Sequence, residues 1–349
     1  MNANTGATLS QASAQQMAWK TENVAPLWTV LKGLVPAEPR PQAIAYAWRW
    51  RKMRELLLHA GETISAAEAE RRVLMLNNPG LDGKPHITDT LYAGLQLILP
   101  GEIARAHRHT QAALRFVLEG SGAYTAVNGV RADMHRGDYI VTPPWTWHHH
   151  GHDGSEPVMW LDGLDLPIVN FLRAGFREEY ESEEFPHSCQ ANKLWDKYSG
   201  TLLPINTEPT SLCSPVFSYP YERSREALER LKKHDECDPH LGVNVRYAHP
   251  LTGGWTMPTI AASMRLIPAG WGTRLYRSVE GTVLTVLEGC PTVEIEGQGS
   301  FELEPNDVLA VPGWTSWRVQ GGVGRDAVFF AFSDRPVFEK LGLYREARA

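Results

Sequence analysis

Short apolar runs separated by glycine-containing turns dominate two stretches of this chain, residues 91–165 and 255–333. Runs of this length, rich in β-branched and aromatic residues, are typical of strands. Four such strands are predicted in the first stretch: Leu114–Glu119, Ala123–Val127, Tyr139–Thr142 and Val158–Asp162. Asn128-Gly129 follows the second of them and is a strong hairpin signal, because both residues tolerate positive φ. The pattern therefore predicts a mainly β protein with two β-rich units.

Helical patterns lie outside these two stretches. Apolar residues four apart, such as Ile44 and Trp48, predict one helix over Pro41–Ala60 that ends at Gly61. The charge pattern of Glu222–Lys233 predicts a second helix. We therefore expect four segments: a helical N-terminal arm (1–90), a first β unit (91–166), a helical connector (167–250) and a second β unit (251–349).

The second β-rich stretch repeats the first at one fixed offset. The matched segments are Val117-Leu-Glu-Gly120 with Val286-Leu-Glu-Gly289, Gly137-Asp138 with Asn306-Asp307, Pro143 with Pro312, and Trp145 with Trp314. Strand and turn residues that recur at a constant spacing indicate the duplication of one structural unit. Short strands with regular turns predict that each copy is a closed or sandwich-like β unit.

Three histidines in the first copy are candidate metal ligands. His107 and His109 are two residues apart on a predicted strand, so their side chains point to the same face. His148 arrives at the end of another apolar run. Three imidazoles that converge inside a small β unit make an open metal site, with positions left for a substrate and O₂.

The duplication provides an internal comparison for these histidines. The second copy has Leu275 or Tyr276 opposite His107, Arg277 or Ser278 opposite His109, and Trp317 or Arg318 opposite His148. It keeps the turn residues and loses all three imidazoles, so we expect the second copy to bind no metal. The contrast favours a chemical role for the three histidines over the competing interpretation, in which they only make hydrogen bonds within the core.

Ligand spacing and flanking residues together carry a family resemblance. The segments concerned are Tyr92-Ala-Gly94-Leu-Gln96, Gly101–His109, Arg115-Phe-Val-Leu-Glu-Gly120, Gly137–His148 and Trp145-Thr-Trp-His148-His149-His150-Gly151. The histidine pattern resembles the paired motifs of the cupins. The whole set is similar to the gentisate 1,2-dioxygenase family, which includes salicylate and 1-hydroxy-2-naphthoate dioxygenases. This resemblance covers nearly the whole chain and implies a bicupin, in which two jelly-roll-like barrels accompany a helical arm and a helical connector.

Enzymes of this family open the ring of an aromatic ortho-hydroxy acid with O₂, so the resemblance implies an extradiol-type oxidoreductase of aromatic catabolism. Gentisate, converted to maleylpyruvate, is the expected substrate, with salicylate and 1-hydroxy-2-naphthoate as alternatives. The resemblance also implies iron(II) in the first cupin and a homotetramer.

The ligand set lacks the glutamate that cupins often carry after the histidine pair, because Ala113 or Leu114 stands in that place. Three neutral imidazoles leave a divalent cation with its full charge, which attracts an anionic, bidentate substrate. Iron(II) suits an open, redox-active site of this kind, while geometry alone also permits manganese or zinc.

Strand alternation adds two further site residues. Arg115 shares the face of His109 and is our first choice for pairing with the substrate carboxylate, with an inter-strand salt bridge as the alternative. His150 shares the face of His148 and is a candidate acid or base. His149 is expected to point away from the site.

Other positions rest mainly on the resemblance. Asp162 is expected to orient a metal-binding or catalytic histidine by a hydrogen bond. The alternative is that it is a structural carboxylate at a buried turn. Gln96 is expected to hydrogen-bond the substrate, and Arg71 to reach over the pocket from the arm unless it lies on a helix surface. Tyr92, with its neighbour Gly94, is expected to offer a phenol to a second ring hydroxyl.

Composition excludes several classes of protein. The 349 residues are 43% hydrophobic and 21% charged, which is ordinary for a globular chain long enough for two cores. A net charge of −6 gives no support for a nucleic-acid or anionic-membrane partner, and no apolar window predicts a membrane span. The N-terminus lacks the features of a signal peptide. Four dispersed cysteines without a C-x-x-C motif favour a reducing cytoplasm.

Two other classes of cupin compete with the dioxygenase hypothesis. A sugar-binding or sensor cupin without redox chemistry predicts a wetter pocket lined by carboxylates, whereas these histidines have neighbours rich in Trp, Phe and Arg. A bicupin that only assembles leaves unexplained why three histidines occur in one copy and not in the other.

Overall fold

The chain forms two compact units, residues 1–40 and residues 41–349. The computed structural model describes residues 15–187, 189–198, 202–208, 211–234 and 237–349. In the first unit, residues 15–21 form helix α1 and Leu27–Leu34 form helix α2. Trp19 packs edge-on against Trp28, with ring centroids 6.2 Å apart, and this contact joins the two helices.

The second unit is built mainly from strands. Its helices are α3 (Trp50–Thr63), α4 (Ala66–Ala69), α5 (Leu166–Phe171), α6 (Asn192–Tyr198), α7 (Tyr221–Lys233) and α8 (Arg335–Lys340), with a 3₁₀ turn at Pro79–Leu81. Its strands are β1 (Tyr46–Trp48), β2 (Arg72–Met75), β3 (Tyr92–Ile98), β4 (Ile103–His109), β5 (Ala113–Glu119), β6 (Ser121–Val127), β7 (Val130–His135), β8 (Tyr139–Thr142), β9 (His148–His152), β10 (Val158–Leu164), β11 (Arg177–Glu179), β12 (Cys189–Gln190), β13 (Ser218–Tyr219), β14 (Val243–Arg246), β15 (Ala261–Ile267), β16 (Tyr276–Ser278), β17 (Thr282–Glu288), β18 (Thr292–Ile295), β19 (Gly299–Glu302), β20 (Val308–Val311), β21 (Trp317–Gln320), β22 (Ala327–Ser333) and β23 (Glu346–Arg348).

These strands form four sheets, two in each half of the unit. Sheet I has the strand order β13-β8-β5-β10-β3-β2, and sheet II has the order β11-β4-β9-β6-β7-β12. Sheet III has the order β1-β20-β17-β22-β15-β14, and sheet IV has the order β19-β18-β21-β16-β23. Each half is therefore a pair of separate sheets, which fits a jelly roll but does not close into a continuous barrel.

The first half encloses a small core between its two sheets. Val117 and Trp160 of sheet I lie in one buried cluster with Ala123 and Met134 of sheet II. These side chains are almost completely inaccessible to solvent. Burial of each large apolar side chain contributes roughly 1.5–3 kcal/mol to folding, so this cluster holds the two sheets in a fixed relation.

The outer faces of sheets I and III share a larger core. Phe116 on β5 stacks on Phe330 on β22, with ring centroids 4.1 Å apart and an angle of 8° between the rings. Tyr139 on β8 lies 5.4 Å from the same Phe330 ring, and its hydroxyl is 2.7 Å from the Thr256 hydroxyl. The two halves consequently pack as one body.

The predicted helix over Pro41–Ala60 is wrong in its first half. Tyr46–Trp48 instead forms β1, which pairs with β20 of the second half. Helix α3 begins at Trp50, whose backbone N–H donates to Asp307 at 2.7 Å, and it continues past Gly61 to Thr63. Pairing with a strand far along the chain fixes an extended conformation that local periodicity does not reveal.

The connector is less helical than predicted. Helices α5, α6 and α7 occur in it, and α7 matches the helix predicted at Glu222–Lys233. Four short strands, β11 to β14, also occur in this segment, and each extends a sheet by pairing with β4, β7, β8 or β15. The connector thus covers sheet edges.

Backbone geometry confirms the internal repeat. Gly137 and Asn306 have φ of 87° and 71°, and Trp145 and Trp314 have φ of 58° and 57°. The predicted hairpin is also present, since Asn128 (φ 44°) joins β6 to β7 together with its glycine neighbour. The four predicted strands correspond to β5, β6, β8 and β10.

A candidate metal centre

Neighbouring strands of sheet II bring the three histidines together. β4 and β9 are antiparallel, and His107 lies directly opposite His148 in their register. The ring centroid of His107 lies 4.2 Å from that of His148 and 5.4 Å from that of His109. One nitrogen of each residue lies within 4.8 Å of the others, so the triad can hold a metal ion.

Backbone carbonyls fix the orientation of these rings. The Nδ1 atoms of His107, His109 and His148 lie 3.1, 3.0 and 2.9 Å from the carbonyl oxygens of Arg105, Gln111 and Thr146. Since a carbonyl only accepts, each Nδ1 carries the proton and each Nε2 keeps its lone pair. Nε2 of His148 is buried and has no hydrogen-bond partner among the described residues. Three convergent lone pairs fit a divalent transition metal.

Burial keeps the triad neutral. Burial, together with the Arg71 charge, lowers the pKa of His107 to about 2 and that of His109 to about 4. Burial also holds the pKa of His148 well below its usual range. Neutral imidazoles are the form that binds metal, so the ligands need not lose a proton at neutral pH.

Arg71 lies against the triad. Its Nη2 atom is 2.6 and 2.7 Å from the two ring nitrogens of His107. Arg71 follows Glu70, whose φ of 52° turns the chain inward between α4 and β2. Burial lowers the pKa of Arg71 to about 10, which leaves its side chain positively charged at neutral pH. The structure thus places Arg71 over the site rather than on an outer helix surface.

Sheet I supplies a second arginine opposite the triad. Arg115 is 4% exposed, and its Nη1 donates to the Thr142 hydroxyl at 2.5 Å. Its Nε lies 3.5 Å from Asp162 Oδ1 and makes no hydrogen bond with any described residue. Trp160 Nε1 donates to the same Asp162 oxygen at 3.0 Å. Asp162 therefore positions Arg115 and contacts no histidine of the triad in this structure.

Burial raises the pKa of Asp162 to about 6, while the Arg115 charge opposes this rise. The carboxylate is therefore mainly ionised at neutral pH and balances the arginine. Gln96 is 3% exposed on β3, opposite Trp160, and shares the inner face of sheet I.

Tyr92 and Gly94 lie on the same strand and face. Gly94 is opposite Asp162, and a Cβ at Gly94 would lie 2.7 Å from the Tyr92 hydroxyl oxygen and 2.5 Å from Val73 Cγ1. Only glycine leaves room for the Tyr92 side chain to fold back over β3. Burial and the Asp162 charge raise the pKa of Tyr92, so its hydroxyl stays protonated.

His150 lies inside the first half, as alternation predicts. Its Nδ1 is 2.9 Å from the Thr125 hydroxyl, and its ring is 6.1 Å from that of His148. Its buried Nε2 has no hydrogen-bond partner in the described part of the chain. Burial holds the pKa of His150 well below its usual range. His149 points to the opposite face of β9 and contacts Glu184.

A cavity of about 730 Å³ opens beside Arg71. Charged residues of both signs line it, among them Glu70, Arg105, Arg177, Glu179 and Glu183. The sequence analysis missed Arg177 and Glu179, because they belong to β11 in the predicted helical connector. In the structure they lie opposite His109 and His107 on the neighbouring strand β4. The cluster of charged residues that begins at Arg177-Glu178-Glu179 was the only signal in the sequence.

The second half has different residues at the triad positions. Tyr276 is paired with Trp317 between β16 and β21, as His107 is paired with His148. The Trp314 backbone N–H contacts the Ser278 carbonyl, as that of Trp145 contacts the His109 carbonyl at 2.7 Å. The structure thereby resolves the equivalences that sequence left open. Both groups of potential ligands found among the described residues lie in the first half.

Comparisons with known proteins agree with this architecture. A family model described as a cupin domain matches residues 94–164. Gentisate 1,2-dioxygenase 1 of Aquipseudomonas alcaligenes is 45% identical over 94% of this chain and 94% of its own length. A gentisate 1,2-dioxygenase of a Streptomyces species is 38% identical over 93% of this chain and 91% of its own.

A solved structure extends the similarity to the whole fold. The salicylate 1,2-dioxygenase of Pseudoaminobacter salicylatoxidans, as its adduct with gentisate, has a TM-score of 0.89 and 35% identity. The match covers 97% of this chain and 94% of the other. Identity and coverage of this extent show common family membership. The chain belongs to the gentisate 1,2-dioxygenase family of bicupin proteins.

Proposed function

We propose that this protein is an iron(II)-dependent, ring-cleaving dioxygenase that converts gentisate and O₂ to maleylpyruvate. The observation that carries the proposal is a triad of neutral imidazoles, flanked by the half-buried Arg71 and the buried Arg115, with no carboxylate in the ligand group found among the described residues. Its relatives in Aquipseudomonas and Streptomyces are named for gentisate, which supports that substrate.

His107, His109 and His148 would hold the iron through their Nε2 atoms, and Arg71 Nη2, which lies 2.7 Å from His107 Nε2, would move aside to free that nitrogen. Bound iron(II) would supply the electron transfer that lets O₂ react with a closed-shell aromatic ring. Manganese and zinc fit the same nitrogen ligands, but zinc has no redox chemistry. The redox requirement of ring opening therefore excludes zinc, and the family resemblance favours iron over manganese.

Two arginines would bind the anionic substrate. Arg71 lies against His107 at the mouth, and Arg115 lies on the opposite sheet. Each offers a fork of N–H donors that matches a carboxylate. We propose that Arg71 meets the carboxylate as it enters, and that Arg115, held by Thr142 and Asp162, binds negative charge deeper in the site.

His150 and Tyr92 would act on the ring hydroxyls. His150 is neutral and has an unpartnered Nε2 among the described residues, so it can accept a hydrogen bond from a substrate hydroxyl. Thr125 fixes the ring by its contact at Nδ1. The Tyr92 hydroxyl stays protonated and can hydrogen-bond the second hydroxyl that distinguishes gentisate from salicylate. Gln96 completes the polar inner face.

We also propose that the protein works as a homotetramer in the cytoplasm. Large apolar side chains on the surface support self-association, such as Trp28 at 76% and Phe171 at 84% exposure. All four cysteines are free thiols, which suits a reducing compartment. No helix in the described residues is long and apolar enough to cross a membrane. Light scattering on the purified protein would give the number of subunits.

Oxygen uptake tests the proposal. Protein loaded anaerobically with iron(II) receives gentisate, salicylate or 1-hydroxy-2-naphthoate in air-saturated buffer, beside a His107→Ala variant. We expect one O₂ consumed per gentisate by the parent protein and none by the variant. Faster uptake with salicylate or the naphthoate would keep the reaction and change the substrate. A lack of uptake with all three, despite bound iron, would favour a non-redox metal-binding cupin.

A further inference from the structure

A second group of metal-binding side chains lies on the outer face of sheet II. His149 points away from the triad because it alternates with His148 and His150 along β9. Residues 180–187, which follow β11, cover this face. The side chain of His149 is 0% exposed.

His149, Glu184 and His187 converge at this position. One ligand atom from each residue lies within 4.8 Å of the other two. Nε2 of His149 is 3.5 Å from Glu184 Oε2, yet it has no hydrogen-bond partner among the described residues. This buried nitrogen has only a long contact with the carboxylate and lies beside a second imidazole, an arrangement that a bound cation would complete.

The surroundings support Glu184 as a ligand. Tyr124 donates from its hydroxyl to Glu184 Oε2 at 3.2 Å, and hydrogen bonds of this kind commonly orient metal-binding carboxylates. Gly151 leaves room for that contact, because a Cβ at this position would lie 2.3 Å from the Tyr124 hydroxyl oxygen. The rings of Tyr124, His149 and His187 lie 5.8–5.9 Å from one another and surround the position.

We propose that His149, Glu184 and His187 bind a divalent cation of the zinc class. Two imidazoles and one carboxylate are a common ligand set for zinc, with a fourth position left for water. The ligand atoms need to move closer by small side-chain rotations, because bonds to zinc are about 2.0–2.2 Å long. The site is separate from the triad, since the two groups lie on opposite faces of β9.

Cation binding would change one existing contact. The Phe185 backbone N–H lies 3.4 Å from His149 Nδ1. A metal at Nε2 requires the ring proton on Nδ1, so this long contact would open. In exchange, the cation would link residues 184–187 directly to β9. Glu183 lines the cavity beside Arg71. Its backbone carbonyl already accepts a hydrogen bond from the Ala106 N–H of β4, at 2.6 Å. The cation would therefore stabilise one rim of the entrance.

Zinc binding to the full, tag-free chain tests this proposal. In a His107→Ala/His109→Ala variant, which has lost two ligands of the triad, we expect one equivalent of zinc by calorimetry and elemental analysis, with a rise in Tm. Adding His187→Ala should weaken this binding at least tenfold and abolish the rise in Tm. Adding His59→Ala, at an exposed position of α3, is the matched control and should change neither.

Hydrogen exchange gives a second readout. Zinc should slow exchange in residues 180–187 of the variant that lacks the triad, and His187→Ala should remove this protection. Failure to bind zinc in that variant, or equal binding in the His187→Ala and His59→Ala variants, would overturn the proposal. Neither measurement involves turnover. Failure of the zinc-site proposal can therefore be distinguished from failure of the dioxygenase assignment. In the chain with an intact triad, His187→Ala should retain activity.

Discussion

Under the proposed function, Arg71 and Arg115 would supply donors for an anionic substrate beside the cation that the neutral histidine triad would hold. The triad contributes no negative charge and Asp162 balances Arg115, so a bound cation together with Arg71 would make the site attractive to an anion. A carboxylate with a neighbouring hydroxyl meets this demand, whereas a neutral sugar does not. The charge of the site would therefore favour hydroxy acids as a class, and individual contacts would select among them.

Replacing Arg71 tests its role in binding the carboxylate. A charge-assisted hydrogen bond contributes about 1.5–3 kcal/mol, so Arg71→Met should lower kcat/KM about 10- to 100-fold. Gentisate and salicylate should be affected equally, because both carry the carboxylate. Steady-state oxygen uptake measures the effect.

Arg105→Met is the matched control, since Arg105 is exposed and lines the same cavity. It should change kcat/KM by less than about threefold, as expected for an exposed charge. An equal loss in both variants would mean that Arg71 contributes only to the general field at the entrance.

Tyr92 should distinguish substrates by their second hydroxyl. One neutral hydrogen bond contributes about 0.5–1.5 kcal/mol, so Tyr92→Phe should lower kcat/KM for gentisate about 3- to 10-fold. Salicylate lacks that hydroxyl and should be little affected. Parallel losses for both substrates would show that the Tyr92 hydroxyl contributes to the fold rather than to selectivity.

The pairing of β4 with β9 creates the centre, because it places His107 opposite His148. Segments outside the jelly rolls complete it. Arg71 immediately precedes β2, and β11 extends sheet II beside the triad. The site therefore depends on short strands contributed by the arm and by the connector.

Asp307 fixes the junction between β1 and α3. Its carboxylate accepts from Trp50 N at 2.7 Å and from Arg49 Nη1 at 2.8 Å. Asp307→Ala should lower the free energy of unfolding by about 1–3 kcal/mol, because the half-buried Trp50 N–H loses its partner and the Arg49 side chain loses an ion pair. Thermal unfolding measures this loss, and activity well below Tm should persist. The exposed neighbour Glu304 provides the control; if Glu304→Ala were equally destabilising, the junction would not depend on Asp307.

Sequence predicted the elements whose signal is local. Tyr139–Thr142 is β8 with the predicted ends, and Asn128 adopts the positive φ that its hairpin requires. Alternation placed His148 and His150 on one face. The helix prediction failed at Tyr46–Trp48, because the extended conformation of these residues depends on pairing with β20. Arg177 was missed because only its pairing with β4 brings it close to the triad. Contacts between distant segments produce no repeating pattern of hydrophobic residues in the sequence.

The two cupins differ in the residues at the triad positions, but they share one hydrophobic core. The first has the triad, and the second has Tyr276, Ser278 and Trp317 in the equivalent places. The back-to-back packing of sheets I and III makes the second cupin a support for the sheet that carries Arg115, Gln96 and Tyr92.

Truncation of Phe330 tests this coupling. Phe330 is fully buried between the cupins, and the loss of a core phenylalanine costs about 3–5 kcal/mol. Phe330→Ala should lower Tm and leave a single unfolding transition in calorimetry, because both cupins share one core. Phe301→Ala, at a partly buried position on β19 away from this core, should cost less. Two separate transitions in the parent protein would contradict the coupling.

The most direct test of the proposed reaction is product analysis after turnover of gentisate under ¹⁸O₂. The parent protein loaded with iron(II) should yield a ring-opened product whose mass equals that of gentisate plus O₂, with both labelled atoms initially incorporated. Oxygen consumption that gives hydrogen peroxide and unchanged gentisate, or a product with one labelled atom and an intact ring, would contradict the assignment as a ring-cleaving dioxygenase.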